Sequence, residues 1–302
     1  MTPAVHVGPG PSAEIRRAVE RGGARVTDDP AEARAIVWLG MDPAALGARL
    51  TSNVEWVHLR QAGVDRWITA GLIDGRRVWT SSAGVFGAVV GERALALLLA
   101  GVHRLGEHAG ARRWSPVPAP VLHGRTVAVL GTGSIGQAVA RLATGFGARA
   151  VGISRRGRPV APFAEVRPAT AWPDACTGAD HLVVAAPLTA ATAGMVGRAA
   201  LAGLAPGAVL VNVGRGPVVD TDAVVESLAV GHLGGVGLDV TEPEPLPDGH
   251  PLWDDPRVIV TSHTANPGAE HRRLLTARVE ANVARWRAGR TLLGRVDATH
   301  GY

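Results

Sequence analysis

The chain has 302 residues, of which 46% are hydrophobic, so it is long enough to bury a large core and to form two domains. Its single cysteine, Cys176, excludes an internal disulfide and a cysteine metal cluster, and we expect no metal site. The net charge is +5, but all 31 basic residues are scattered arginines, which indicates coding bias rather than a nucleic-acid partner.

The ends and the apolar runs of the sequence predict a cytoplasmic location. No basic leader followed by an apolar segment opens the chain, and no run of about 18 apolar residues occurs. We therefore expect neither secretion nor a membrane partner. A lone cysteine fits a reducing cytoplasm.

Residues 1–97 alternate short apolar runs with amphipathic stretches. The apolar runs predict strands at Ala4–Gly8, Ala24–Asp28, Ala35–Leu39, Val54–Leu59 and Arg77–Ser81. The amphipathic stretches predict helices at Pro11–Arg21 and Pro43–Leu50. This βαβ rhythm predicts a parallel sheet that belongs to the N-terminal part alone.

A turn of small residues, Gln61–Asp65, follows the fourth predicted strand. At the carboxyl end of a strand, the bare backbone N–H groups of such a turn are suited to bind an anion. A plain βα loop explains the same residues equally well. Further on, Val89–His103 predicts a long apolar helix that links two domains, and Gly106–Val121 predicts a loop-rich connection.

The stretch Arg125–Arg156 reads as strand, glycine turn, helix and strand. Thr126–Leu130 is apolar and β-branched, and Gly131, Gly133 and Gly136 then follow with the spacing G-x-G-x-x-G. The first glycine permits a tight turn, the second admits a pyrophosphate, and the third allows close packing of helix on strand. Within a complete βαβ unit this motif predicts dinucleotide binding, the alternative being an ordinary βα turn.

The rest of the chain continues the same rhythm. Strands are predicted at Asp180–Ala186, Ala208–Val213, Val236–Val240 and Val258–Thr261, and helices at Val219–Val230 and Glu270–Ala288. Four ionisable residues lie at or just beyond the carboxyl ends of these strands: Arg215, Asp239, Glu244 and His263. Each alone has an ordinary explanation as a turn, cap or loop residue. Together, on the edge where such sheets bind ligands, they predict an active site.

Five motifs carry a resemblance to a known family: HGRTVAVLGTGSIG, AAPLTAATAGMV, LVNVGRGPVVD, GLDVTEPEPLP and TSHTA. The chain resembles the D-isomer-specific 2-hydroxyacid dehydrogenases. The resemblance implies an α/β fold of two doubly wound parallel-sheet lobes around a cleft, a Rossmann nucleotide-binding domain and a flavodoxin-like substrate domain. We place the substrate domain at residues 1–97, the dinucleotide-binding domain at 98–268 and a returning C-terminal helix at 269–302.

The resemblance also implies roles for individual residues. Arg215, Glu244 and His263 are the expected catalytic residues, and Arg215 also binds substrate. Ala62 and Gly63 hold the substrate carboxylate. The expected cofactor-binding residues are Gly131, Thr132, Gly133, Ser134, Ile135, Gly136, Ser154, Arg155, Arg156, Pro187, Val213 and Asp239, the last at the nicotinamide end.

Three positions depart from the family pattern. Ser154 stands where members that use NAD carry an acidic residue, and Arg155 and Arg156 follow it directly. Such a site suits a 2′-phosphate, which predicts a preference for NADP with NAD still possible, unless both arginines merely face solvent. Asn266 and Arg93 also differ from the usual residues and bear on the substrate.

We expect an oxidoreductase that reduces a small 2-oxoacid, such as glyoxylate or hydroxypyruvate, to the (R)-2-hydroxyacid. Histidine suits the proton donor because its pKa lies near working pH, and arginine suits the carboxylate because of its planar fork. A homodimer is the expected assembly. The alternative is a nucleotide-sensing binding or corepressor module without turnover, which the presence of Arg215, Glu244 and His263 together disfavours.

Overall fold

The computed structural model describes residues 2–10, 12–114, 116, 118 and 120–300. The chain divides into two compact units, one made of the residues up to Phe86 together with those from Pro267 onward, the other of Gly87–Asn266. Pro11, the expected start of the first helix, lies outside the described residues, as do positions 115, 117 and 119 of the expected loop.

The first unit contains a five-stranded sheet in the order β2-β1-β3-β4-β5, with every adjacent pair parallel. Its elements are β1 (Ala4–Gly8), α1 (Ala13–Arg21), β2 (Arg25–Thr27), β3 (Ala35–Trp38), α2 (Pro43–Gly47), β4 (Trp56–Leu59), α3 (Asp65–Thr69) and β5 (Val78–Ser81), and, at the other end of the chain, α9 (Gly268–Arg287).

Successive side chains of a strand point to opposite faces of the sheet, and apolar side chains on both faces form a core on each. Trp56 packs with residues of α1 and α9, such as Ile15 and Val279. Trp38 and Leu59 pack on the other face. Each fully buried large side chain stabilises the fold by about 1.5–3 kcal/mol, so both layers of helices are held to the sheet.

The second unit contains a seven-stranded sheet, all parallel, in the order β12-β11-β10-β9-β6-β7-β8. Its elements are α4 (Gly87–Val102), α5 (Leu105–Gly110), β6 (Thr126–Leu130), α6 (Ser134–Gly145), β7 (Arg149–Ser154), β8 (Glu165–Pro168), β9 (His181–Val184), α7 (Arg198–Gly203), β10 (Ala208–Asn212), α8 (Thr221–Ala229), β11 (Leu233–Leu238) and β12 (Val258–Val260). Two all-parallel sheets in α/β units confirm the predicted fold class.

The second unit begins at Gly87, so helix α4 belongs wholly to that unit. The boundary expected after Leu97 lies within this helix. The reason is close packing through glycine. A Cβ on Gly91 would lie 2.6 Å from the Cβ of Ala138 in α6, and one on Gly237 would lie 2.7 Å from the Cβ of Leu97. Because α4 packs closely on the second unit at both Gly91 and Leu97, a domain boundary within the helix is disfavoured.

Three elements differ from the expectation for physical reasons. Strand β8 is polar at the edge of its sheet, so it gives no apolar run. Helix α5 lies where a loop was expected, and an Arg104–Glu107 pair with 2.6 Å between Nε and Oε1 spans its start. Strand β11 begins at Leu233 because its glycines admit α4, although glycine weakens the strand pattern.

Across the described part of the chain, no helix combines the length and the apolar character needed to cross a membrane.

Three buried histidines lie on strands: His6 on β1 and His58 on β4 in the first unit, and His181 on β9 in the second. His181 on β9 accepts a hydrogen bond at Nδ1 from the backbone N–H of Val209 at 3.2 Å, while its Nε2 has no partner among the described residues. Burial lowers the pKa of His181 to about 4 and that of His58 to about 3. Both rings are therefore neutral in the folded protein at neutral pH.

This burial makes stability depend on pH. An unfolded histidine titrates near pH 6.5 and binds more protons than the buried ring below that pH, so the free energy of unfolding should fall as pH drops from about 6.5 toward about 4. His181→Asn, which keeps an acceptor for Val209, should reduce the slope by up to about 1.4 kcal/mol per pH unit. Urea unfolding between pH 4.5 and pH 7 measures this, and an unchanged slope would contradict it.

Candidate active site

The glycine turn after β6 is built from two close backbone approaches. Gly131 has a φ of +103°, and a Cβ there would lie 2.7 Å from the carbonyl oxygen of Ala185. A Cβ on Gly136 would lie 1.9 Å from the carbonyl oxygen of Gly131. No other residue type fits either position, so the turn brings the start of α6 directly against the end of β6.

Gly133 is open where the other two glycines are crowded. Within the part of the chain that the structure describes, nothing lies within 4 Å of the position of its Cβ. Gly133 is the N-cap of α6, and the side-chain amide of Gln137 donates to the carbonyl of Thr132 at 2.9 Å. An open glycine before a helix N-terminus fits a dinucleotide pyrophosphate. Ser134 and Ile135, half-buried, complete this first turn.

Strand β7 ends at Ser154, and a turn follows in which the N–H of Gly157 donates to the carbonyl of Ser154 at 3.3 Å. Arg155 and Arg156 occupy the two middle positions of this turn and are exposed. Gly157 has a φ of +63° and its Cβ position lies 2.8 Å from the nitrogen of Pro168, so the turn is tight. The expected 2′-phosphate residues thus lie together at one strand end.

Asn212 at the end of β10 holds the turn that carries Arg215. Its Nδ2 donates to the carbonyl of Arg215 at 3.0 Å, and its Oδ1 accepts from the N–H of Gly214 at 3.0 Å. The guanidinium of Arg215 donates from Nη1 to the carbonyl of Gly214 at 2.8 Å. Both ends of one buried amide therefore fix the backbone from which the arginine projects.

Two more glycines pack this turn against its neighbours. A Cβ on Gly214 would lie 2.7 Å from the carbonyl oxygen of Ala186, next to Pro187. A Cβ on Gly216 would lie 1.8 Å from the carbonyl oxygen of Thr241, two residues past Asp239. The Arg215 turn consequently lies between the loops that follow β9 and β11. Val213 is buried in this arrangement.

Glu244 and His263 form a hydrogen-bonded pair with 2.8 Å between Oε1 and Nδ1. Their side chains are 44% and 52% exposed, so solvent reaches the pair. The far ring nitrogen, Nε2, is not used in this contact. A carboxylate on Nδ1 orients the ring and leaves Nε2 available to a substrate.

Asp239 holds the loop that carries His263. Its carboxylate accepts from the hydroxyl of Thr261 at 2.6 Å and from the N–H groups of Thr264 at 3.0 Å and Ala265 at 3.1 Å. Its carbonyl also accepts from the N–H of His263 at 2.8 Å. His263 has a φ of +52°, which is costly for a residue with a side chain, and these bonds hold it there.

Sequence reasoning missed Asn212 and Thr261, whose roles are to hold the loops of the site. Asn212 carries a weak signal, since it is a polar residue at the end of an apolar strand in LVNVGRG. Thr261 carries none, because a threonine at a strand end is ordinary.

Ala62 and Gly63 lie in the first unit, half-buried between β4 and α3. They follow the carboxyl end of β4, as expected, and their role toward a substrate carboxylate stays a prediction. Among the described residues, no group of three or more His, Cys, Asp or Glu side chains is arranged to hold a metal ion.

Comparison with known proteins identifies the family. The family described as "D-isomer specific 2-hydroxyacid dehydrogenase, NAD binding domain" matches residues 93–265, more than half of the chain. The glyoxylate/hydroxypyruvate reductase A of Serratia proteamaculans is 34% identical over 194 residues, which are 63% of this chain and 60% of the relative.

Two solved structures resemble the whole chain. A D-isomer specific 2-hydroxyacid dehydrogenase from Xanthobacter autotrophicus, in complex with NADPH and MES, has a TM-score of 0.86 and 30% identity and covers 100% of both chains. An NADPH-dependent glyoxylate/hydroxypyruvate reductase from Sinorhizobium meliloti, in complex with NADP and sulfate, has a TM-score of 0.83, 29% identity and the same coverage.

The family match and the relatives show a dehydrogenase that uses a nicotinamide cofactor. The chain belongs to the D-isomer-specific 2-hydroxyacid dehydrogenase family, and it is an NAD(P)-dependent oxidoreductase acting on small 2-hydroxyacids.

The contacts of Asp239 predict the effect of a substitution that keeps its shape. Asp239→Asn places an NH₂ group against backbone N–H donors, so at least one of them loses its acceptor. The free energy of unfolding should fall by about 1–3 kcal/mol. Because the His263 loop is released, kcat should fall by at least about tenfold. Asp254→Asn, an exposed matched change, should alter neither, and a fully active, stable Asp239→Asn would contradict this role.

Proposed function

We propose that this protein reduces a small 2-oxoacid, such as glyoxylate or hydroxypyruvate, to the (R)-2-hydroxyacid with NADPH as the preferred cofactor. The observation that carries the proposal is the Glu244–His263 pair, 2.8 Å apart, in the same unit as the open glycine turn at Gly133. The named activities of the relatives support the substrate class.

In this proposal each residue of the pair has a separate task. His263, as its imidazolium, donates the proton on Nε2 to the substrate oxygen as that oxygen gains negative charge. Glu244 accepts the hydrogen bond from Nδ1 and fixes the orientation of the ring. Asp239 keeps the loop of His263 in its costly conformation through its bonds to the backbone.

Arg215 is proposed to bind the substrate carboxylate and the keto oxygen. Its guanidinium forms two parallel hydrogen bonds to such groups, which lysine does not do. Ala62 and Gly63 are proposed to add backbone N–H groups for the carboxylate. Asn212 keeps the arginine in place by binding both sides of its turn.

The glycine turn is proposed to hold the cofactor. When bound, a reduced nicotinamide supplies the hydride for the keto carbon. Gly133 and the start of α6 receive the pyrophosphate, and the Ser154–Arg156 turn receives the ribose phosphate. Pro187, Val213 and Asp239 are proposed to lie toward the nicotinamide. We further propose that the protein is cytoplasmic and forms a homodimer.

Substitution of the hydrogen-bonded pair tests the reaction. His263→Ala should lower kcat by about 10²–10⁴, the usual contribution of a general acid, and leave NADPH affinity nearly unchanged. Glu244→Gln keeps an acceptor for Nδ1 without the charge, so kcat should fall less than in His263→Ala. Rates come from NADPH absorbance with glyoxylate and hydroxypyruvate, and NADPH affinity from fluorescence titration.

Glu242→Gln is the matched control, because it removes the same charge from the same exposed loop. It should retain the wild-type rate. Full activity of His263→Ala at neutral pH would refute the assignment of the proton donor. NADPH binding by the wild type without turnover of any 2-oxoacid would instead favour a nucleotide-sensing module.

The basic turn after β7 predicts the cofactor preference. Hydrogen bonds from arginine to a phosphate are worth about 1.5–3 kcal/mol each, so kcat/KM for NADPH should exceed that for NADH by at least about tenfold. Arg155→Ala combined with Arg156→Ala should remove most of this ratio by raising KM for NADPH alone. Steady-state kinetics with both cofactors measures it.

Arg141→Ala is the control, since Arg141 is exposed on α6 in the same unit. It should leave the ratio as it is. A wild type that prefers NADH would refute the proposal for the basic turn, while the dehydrogenase chemistry would stand.

A further inference from the structure

The segment that carries Glu244 is exposed between two buried residues. Thr241 is 7% exposed and Leu246 is 6% exposed, and Leu246 packs in the apolar core of the second unit. The residues between them, which we call the Glu244 loop, are all exposed: Glu242, Pro243, Glu244 and Pro245. Exposed side chains contribute little packing, so the path of this loop depends on the contacts of its backbone.

Two threonine hydroxyl groups hold successive carbonyl groups of the Glu244 loop. Thr221, the first residue of α8, donates to the carbonyl of Glu242 at 2.8 Å. Thr241 donates to the carbonyl of Pro243 at 2.8 Å. The first bond ties the loop to a helix of the same unit, and the second acts on the peptide group that joins Pro243 to Glu244.

The bond from Thr241 restricts the position of Glu244 itself. A peptide group is planar, so the carbonyl oxygen of Pro243 and the Cα of Glu244 move as one rigid unit. Oε1 of Glu244 lies 2.8 Å from Nδ1 of His263, and such a hydrogen bond weakens steeply when its geometry is disturbed. A hydroxyl that fixes this peptide group therefore fixes the start of the side chain that orients the histidine ring.

The backbone of Thr241 also contacts the turn that carries Arg215. A Cβ on Gly216 would lie 1.8 Å from the carbonyl oxygen and 2.3 Å from the carbonyl carbon of Thr241. Asp239, two residues before Thr241, holds the loop of the proposed proton donor. Thr241 thus lies where the supports of all three proposed catalytic residues meet.

The bond from Thr241 is not needed to satisfy its acceptor. Pro243 is exposed, and water serves an exposed carbonyl about as well as a hydroxyl group does. The main consequence of the bond is therefore the position of the loop rather than the stability of the fold.

We propose that Thr241 is a positioning residue for the proton transfer, and that its hydroxyl group sets the Glu244 carboxylate against His263. The inference rests on the proposed function, because it treats the Glu244–His263 pair as the group that protonates the substrate oxygen. It assigns no contact between Thr241 and substrate or cofactor. The hydroxyl group should therefore affect kcat through Glu244 and leave KM for NADPH unchanged.

The first test removes the hydroxyl group and keeps the shape of the side chain. Thr241→Val should lower kcat for hydroxypyruvate and glyoxylate by about three- to tenfold, the usual contribution of one hydrogen bond. KM for NADPH and the midpoint of urea unfolding should stay near the wild-type values. Thr241→Ser keeps the hydroxyl group and should retain most of the rate.

A double-mutant cycle with Glu244→Ala separates a positioning role from a general structural one. Without the Glu244 side chain there is no carboxylate to position, so adding Thr241→Val should lower kcat little or not at all. Thr276→Val is the matched control, because the hydroxyl group of Thr276 also donates to a backbone carbonyl, that of Arg272 in α9 at 2.7 Å. It should leave kcat unchanged in both backgrounds.

The outcomes distinguish this inference from the proposed function. If Glu244→Ala is slow but Thr241→Val has the wild-type kcat, the inference is wrong and the proposed function stands. An equal fold loss from Thr241→Val with and without the Glu244 side chain, or a Thr241→Ser variant as slow as Thr241→Val, would also refute it. If Glu244→Ala is fully active, or the wild type reduces no 2-oxoacid, the proposed function fails and the inference fails with it.

Discussion

The site depends most on the carboxylate of Asp239, which joins the end of β11 to the loop after β12. It accepts one hydroxyl and two backbone N–H groups from residues 261–265. A charged acceptor for several donors is worth more than the same number of neutral hydrogen bonds, and it is buried here. That interaction holds His263 at a positive φ, from which its ring reaches Glu244. The proposed proton donor is thus fixed by a residue that does not touch its ring.

Backbone proximity is the second constraint, and glycine makes it possible. At Gly131, Gly136, Gly214 and Gly216 a Cβ would lie 1.8–2.7 Å from a carbonyl oxygen of a neighbouring segment. Each contact joins a strand end to the adjacent loop at the carboxyl edge of the seven-stranded sheet. Gly133 is the exception, because its Cβ position is open within the described structure. Crowded glycines therefore shape the edge, and the open one leaves room for a ligand.

The sequence alone predicts the fold and the candidate site correctly where the signal is local. Buried parallel strands appear as apolar runs, and the glycine motif with its flanking strand and helix locates the dinucleotide turn. The sequence alone does not predict features that are set by tertiary contacts. Strand β11 begins at Leu233 because α4 needs glycine against the sheet, and α4 falls in one unit because it packs along its whole length. The tasks of Asn212 and Thr261 depend on loops that only folding brings together.

Histidines in different surroundings explain why the proposed chemistry falls to one of them. His58 and His181 are buried on central strands, where burial lowers the pKa of each ring far enough to keep it neutral. A ring that is kept neutral at neutral pH is a poor proton donor. His263 lies instead in a loop at the sheet edge, half exposed, with the carboxylate of Glu244 on one nitrogen. Position in the fold, rather than residue type, therefore makes His263 the proposed proton donor.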